Sequence, residues 1–494
     1  MLLTDELLLN YKRCQRRAFL DKYEDRSKQD PERDFLDKLK EENQRHIAQV
    51  LVDRVYHQPD APWSDWHARA SQTQSLMAQG VDCIYQGLLW QSTNQELKLL
   101  LENLTGEVVE IYWQGMTLVG QPSLLIKQPG WSEFGNWFYS PINIKLGRRP
   151  KPEYKLISAF HGYLLAAIQG VLPDKWQLIL KDLQSYVVEQ EIWLNRLQGV
   201  LNQCTNMLHF HQEPEVFISR QRCSLCQWYS YCHDIAQSTQ HLCLVPGVTP
   251  RRYDQLKELG ISSLHDLAST SITQISEEVD AEMTAQLKQQ ARSIVEDIPL
   301  TKATLSNAMS IPTTPIELYF DIEAEPERGL DYLLGVLLID RRTNEQKFHY
   351  FLAKQPEEEI IIWQQFLDFI ELYPDARIFH FSGYELETIK RLGELYQTPS
   401  SRVNQVINRL VDLHEQVLLS VTFPVESYSL KSLANWIGFT WHDQGVSGDQ
   451  SICWYDQWLK TQQPELLTSI LRYNEDDCRA TYVLKDWLVN FLAN

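Results

Sequence analysis

The stretch Glu317-Leu-Tyr-Phe-Asp321-Ile-Glu323 is apolar until it presents two acids two residues apart. A strand has a side-chain period of two, so Asp321 and Glu323 share one face. Helical patterns follow on both sides, which predicts a strand buried between layers. Two carboxylates held that close repel unless a cation sits between them. Residues 471–480 supply the complement. Tyr473 and Asp477 stand at i and i+4 in Tyr473-Asn-Glu-Asp-Asp477, so a hydroxyl and a carboxylate share one helix face.

Around these two pieces, Ile316–Ile322, Tyr332–Ile339 and Gln346–Leu352 are expected as strands. Helix and strand then alternate: helix 356–373, strand 377–381, helix 384–396, helix 404–419 and a long last helix over 464–492. This is an α/β pattern with a mixed sheet over 315–494. Upstream, a polar stretch 301–314 reads as a linker. Residues 1–240 begin with helical periodicity, and strands are expected at Val108–Gln114, Leu118–Ile126 and Trp137–Leu146. Helices 153–170 and 184–210 follow. Residues 241–300 form a short helical segment, so the whole is an α/β multidomain chain.

Composition sets the bounds. The 494 residues are 44% hydrophobic and 22% charged, which excludes a disordered or collagen-like chain. No apolar run reaches the ~20 residues of a membrane helix, and a cytoplasmic protein is expected. Forty-six basic and 65 acidic side chains give a formal charge of −19, about two thirds of it in 301–494. Net negative charge does not bar nucleic acid, because basic grooves and bound divalent ions reverse the sign locally. Nine cysteines are too few for a disulfide scaffold.

The order of acid-x-acid on a first strand, an Asp412-Leu-His segment, and Tyr473-x-x-x-Asp477 on the last helix resembles the DEDD-type 3′–5′ exonucleases. These belong to the ribonuclease-H-like superfamily, and within it the stretch also resembles the YprB-like exonuclease domains. It implies that Asp321, Glu323 and Asp477 hold two Mg²⁺ or Mn²⁺ ions for in-line phosphodiester hydrolysis. It also implies that Tyr473 orients the attacking water. For the fourth carboxylate the resemblance points to the helix start in Ser382-Gly-Tyr-Glu385-Leu-Glu387, with Glu385 first and Glu387 second. The alternative is that both acids complement the helix dipole.

In the N-terminal part, Cys223-Ser-Leu-Cys226 and Cys232 have the C-x₂-C-x₅-C spacing of metal ligands. With Cys14 they resemble the iron–sulfur staple of RecB-like nucleases, which implies a [4Fe-4S] cluster, with a zinc site as the alternative. Those families carry a PD-(D/E)xK site in a restriction-endonuclease-like fold. Here the aspartate position falls on Ser123 and the second acid on Asn143. Lys145 and the upstream His46 match, whereas the family glutamine one turn before Tyr163 is Ala159. Without either carboxylate a Mg²⁺ site is poor, so this domain is expected to bind nucleic acid rather than cleave it. Recruitment of Glu110 or Glu133 as substitute acids is a third reading. The basic run Lys12, Arg13, Arg16 and Arg17 either touches phosphate or solvates a helix.

Pro246-Gly247-Val-Thr249 followed by Leu256–Gly260 resembles a helix-hairpin-helix module. Its amides, with Arg251 and Arg252, would face a phosphate; such modules also serve as spacers. The resemblance as a whole is to a bacterial family of RecB-like nucleases. It implies a 3′–5′ exonuclease acting on nucleic acid, DNA ahead of RNA, with a helicase or repair factor as partner. A non-catalytic nucleic-acid-binding scaffold is the alternative. No Walker-type Gly-Lys-Ser/Thr loop occurs, so the chain is not itself a motor.

Overall fold

In the computed structural model, which describes residues 1–108, 111–271, 281–302 and 311–493, the chain divides into two units, Met1–His233 and Asp234–Asn494. The first holds two sheets. Leu2–Thr4 (β1), Leu89–Ser92 (β3) and Thr117–Gly120 (β4) form a three-stranded sheet in the order β1-β4-β3. Cys83–Tyr85 (β2), Leu124–Ser132 (β5), Gly135–Ile144 (β6), Gln177–Ile179 (β7) and Ser185–Val187 (β8) form a mixed five-stranded one, β2-β5-β6-β7-β8. The helix Pro152–Gln169 is buried along most of its length.

Three expectations are corrected here. The single strand expected over Leu118–Ile126 is two, β4 and β5, in different sheets. The break falls at Gln121-Pro122-Ser123, where Pro122 lacks an amide hydrogen for a ladder. The helix expected from 184 begins only at Gln190, because the alternating Ser185-Tyr-Val187 pairs with β7. In the strand expected over Val108–Gln114, residues 109–110 lie outside the described residues, and 111–114 form no strand.

In the second unit, Leu300–Thr301 (β9) pairs with Val421–Thr422 (β15). Of the expected linker, 303–310 lie outside the described residues. Segment 241–300 contributes helices Pro250–Glu258, Leu264–Ser269 and Ala281–Glu296. The main sheet is built from Ile316–Glu325 (β10), Leu330–Asp340 (β11), Glu345–Leu352 (β12), Arg377–His380 (β13) and Leu410–Asp412 (β14), in the order β12-β11-β10-β13-β14. β10–β11 and β11–β12 are antiparallel, whereas β10–β13 and β13–β14 are parallel. The expected helix 404–419 is corrected to two, Ser400–Ile407 and Leu413–Ser420, with β14 between them. Three residues are too few to show a period of two.

Alternation along β10 sorts its side chains into two cores. Leu318 and Phe320 pack with Trp363 and Phe366 on one face. Tyr319 packs with Phe379, Leu484 and Leu488 on the other, beneath the last helix, Pro464–Ala493. Glu317, Asp321 and Glu323 share the parity of Tyr319 and so face that helix. Glu317, fully buried, accepts from Lys485 Nζ at 2.7 Å, Arg341 Nε at 2.7 Å and Tyr319 Oη at 2.7 Å. This network fixes the helix against the strand. Among the described residues no helix is long and apolar enough to cross a membrane.

Removing one partner of a buried ion pair leaves the other charge uncompensated. Lys485→Met is therefore expected to destabilise the second unit by about 3 kcal/mol, measured by urea unfolding.

Candidate active site

The parity of β10 and the i, i+4 spacing of the last helix converge. One carboxylate oxygen each from Asp321, Glu323 and Asp477 lie within 4.8 Å of one another. Burial holds all three above the usual carboxylate range, and neighbouring carboxylates add to it for Asp321 and Glu323. For Asp321 burial leads, followed by the charges of Asp477, Glu323 and Glu385. For Glu323 burial and then Asp477 act, opposed by hydrogen bonds from Ser451 and Asn474. Burial pushes Asp477 up to about 7, against a Trp441 hydrogen bond and the nearby Lys431 charge.

Several neighbours position these acids. Trp441 Nε1 donates to Asp477 Oδ1 at 2.7 Å, and Asn474 Nδ2 donates to Asp321 Oδ2 at 2.7 Å. Tyr473, 7% exposed, hydrogen-bonds Asp477, and burial first, then the neighbouring carboxylates, keep its phenol protonated. Lys431 Nζ lies 5.3 Å from the Tyr473 ring and 5.4 Å from the Trp441 ring. Burial lowers its pKa while Asp477 and Asp476 oppose that shift. His442 hydrogen-bonds Asp476 at 2.7 Å through Nδ1.

The two candidates for a fourth acid part ways. Glu385 is buried, sits 3.3 Å from His380 Nδ1, and its charge reaches Asp321, although it lies outside the tight group of three. Glu387 is exposed and paired with Lys390 at 2.9 Å. Asp412 caps a helix, accepting from the amides of Ser382 and His414 at 3.0 and 2.9 Å. Lys431, Trp441, Ser451 and Asn474 are absent from the residues picked out in the sequence. A lysine, a tryptophan and a serine in helical or loop segments carry no spacing signal, and Asn474, next to Tyr473, lies off the i, i+4 spacing that links Tyr473 to Asp477. Three clustered carboxylates with one partial counter-charge are a hard oxygen donor set, which fits Mg²⁺ or Mn²⁺.

In the first unit Cys14, Cys223, Cys226 and Cys232 come into one neighbourhood. Burial raises the last three thiols, and each also feels Cys14. Cys14 caps a helix by accepting from Arg17 N at 3.4 Å, and Arg16 hydrogen-bonds Cys232. Among the described residues no three of these sulfurs reach the mutual 4.8 Å spacing of the carboxylates. A tetrahedral zinc site needs its sulfurs about 3.8 Å apart.

At the altered nuclease motif, Ser123 Oγ accepts from Ile144 N at 2.9 Å, and the buried Asn143 donates to Ser158 Oγ at 3.0 Å. Burial lowers the Lys145 pKa, and Asp5 opposes that shift. Asp5 Oδ2 meets His161 Nε2 at 2.8 Å and accepts from Gln121 N at 2.8 Å. Neither residue was expected, since nothing in the sequence links positions 5 and 161. His46 is buried, with burial lowering its pKa and a bond to the Ile179 backbone opposing. Ala159 and Tyr163 are both buried, and Tyr163 donates to Leu97 O at 2.5 Å. Glu133 is exposed in the β5–β6 turn, and Glu110 lies outside the described residues. Gly247 has a φ of +96°, as its turn demands, and its carbonyl accepts from Arg252 at 2.6 Å; Arg251 stays exposed.

No curated protein matches the chain. A family model of the RNase H superfamily matches residues 318–489, from β10 into the last helix. The C-terminal part of this chain is therefore an RNase H-like domain of the kind found in nucleases.

Proposed function

We propose that residues 315–494 are a divalent-metal-dependent nuclease acting as a 3′–5′ exonuclease. The observation that carries this reading is the group of three carboxylates within 4.8 Å in an RNase H-like domain. Asp321, Glu323 and Asp477 would hold Mg²⁺ or Mn²⁺, which would supply charge stabilisation for phosphodiester hydrolysis. Glu385 serves as the outer fourth acid. Tyr473 orients the attacking water through its protonated hydroxyl. Lys431 contributes positive charge beside Asp477, where negative charge develops on the substrate. The 3′–5′ polarity follows the resemblance to DEDD enzymes with a tyrosine.

In the same reading the first unit is a PD-(D/E)xK-like domain that binds nucleic acid through Lys145. Its four cysteines hold a [4Fe-4S] cluster, a choice that follows the resemblance to RecB-like nucleases, with a zinc site as the alternative. Gly247, Arg251 and Arg252 add phosphate contacts. DNA is the preferred substrate, and a helicase or repair factor the partner.

With 5′-labelled single-stranded DNA and RNA and Mn²⁺, wild type should give a ladder shortening from the 3′ end. Asp321→Asn should lose cleavage by on the order of a thousandfold, several kcal/mol of charge stabilisation. Lys145→Ala should raise KM and still cleave. Cleavage that survives Asp321→Asn and disappears in Lys145→Ala would move catalysis to the first unit. Tight nucleic-acid binding with no cleavage by wild type would support the scaffold alternative.

Metal-free protein should lose stability with rising pH. Asp477 titrates near 7 when folded and near 3.8 when unfolded, so between these values the native state holds the extra proton. Stability present below pH 4 is lost as pH rises through 7. In EDTA, Asp477→Asn should therefore melt above wild type at pH 8 and level with it at pH 4. Mn²⁺ should raise the wild-type melting temperature at pH 8 more than that of the variant.

Anaerobically purified protein should carry ~4 irons per chain, as one [4Fe-4S] cluster requires. Cys14→Ser should lose that iron, whereas one bound zinc would establish the alternative.

A further inference from the structure

Gly335 on β11 stands directly across the ladder from Asp321 on β10. A Cβ built at Gly335 would lie 1.6 Å from Asn474 Oδ1. The last helix packs against the strand here, and Cys478 Sγ donates to the Gly335 carbonyl at 3.6 Å. Asn474 is fully buried and fills the space that the absent side chain leaves. Its amide nitrogen donates to Asp321 Oδ2 at 2.7 Å and also bonds the Glu323 carboxylate. Its Oδ1 is buried without a hydrogen-bond partner. A buried amide normally satisfies its carbonyl as well. This one leaves its oxygen unmet while its two N–H groups face two acids.

We infer that Asn474 is a positioning residue that ties Asp321 to Glu323 before metal arrives, and that Gly335 is glycine to admit it. The inference rests on the metal reading proposed above. An amide is the side chain suited to the task. It offers two donors to two acceptors, adds no charge that would compete with a cation, and cannot be titrated away. An aspartate in its place would add a further repelling carboxylate, and a lysine would occupy the cation's position. Groups that orient metal ligands typically contribute 10–100-fold in metal affinity.

The test is Mn²⁺ binding by calorimetry on the full chain, compared among wild type, Asp321→Asn, Asn474→Ala, Gly335→Ala and the Asn474→Ala/Gly335→Ala double variant. Asn474→Ala should weaken Mn²⁺ by at least about tenfold. Gly335→Ala alone should weaken it similarly, by driving Asn474 off the acids. In the double variant the added methyl should cost nothing further, because the side chain it displaces is gone. A merely structural role would lower the melting temperature of each single variant and leave Mn²⁺ affinity unchanged. Should Asn474→Ala not fold, Asn474→Ser, which keeps one donor, should bind Mn²⁺ at intermediate strength. Wild-type affinity in Asn474→Ala or Asn474→Ser, with binding lost in Asp321→Asn, would overturn this inference alone. No binding by wild type would overturn the metal reading and this inference together.

Discussion

Three carboxylates crowded within 4.8 Å, one buried and two partly buried, are the constraint around which the second unit is arranged. Each would rather be protonated or elsewhere, and the fold must hold them together without a neutralising partner of equal charge. It does so by fixing the two elements that carry them. Glu317, four residues before Asp321, is clamped by Lys485, eight residues after Asp477, in an ion pair fully shielded from solvent. The buried pair adds little net stability. It specifies the register of helix on strand instead, since a slip by one residue would leave both charges buried and unpaired. The same slip would move Asp477 away from Asp321.

Short-period patterns carried most of what was legible in the sequence. Asp321 and Glu323 share a face because strands repeat every two residues, and Tyr473 and Asp477 because helices repeat near every four. Both pairs were readable from spacing alone. Their convergence was not, since it depends on which helix crosses which face of the sheet. Asn474 shows the limit more sharply: its reason for being asparagine is Gly335, 139 residues away on another strand. Trp441 and Lys431 reach Asp477 from a loop and a short helix whose paths no local signal dictates. β14 failed for a different reason, being three residues between two helices.

In the first unit, Ser123 and Asn143 stand where the resemblance to RecB-like nucleases places acids. Both side chains make neutral hydrogen bonds, to the Ile144 amide and to Ser158. Such bonds satisfy the groups without concentrating negative charge. Lys145 would then be a partly buried ammonium with no nearby carboxylate, which is costly. Asp5, entering from the start of the first helix, supplies the missing charge, and its own carboxylate is held by His161 and the Gln121 amide.

That arrangement separates two questions that a family resemblance joins. A lysine retained in a nuclease motif is ordinarily taken as a sign of retained chemistry. Here its electrostatic partner comes from 140 residues upstream, on an element outside the motif. Asp5 thus opposes the effect of burial on Lys145, whereas Asp321 and Glu323 are raised further by neighbouring carboxylates. The two sets of charges differ in their surroundings: Lys145 has the Asp5 carboxylate nearby, whereas Asp321, Glu323 and Asp477 bring three carboxylates together, an arrangement that a proton or a cation would offset.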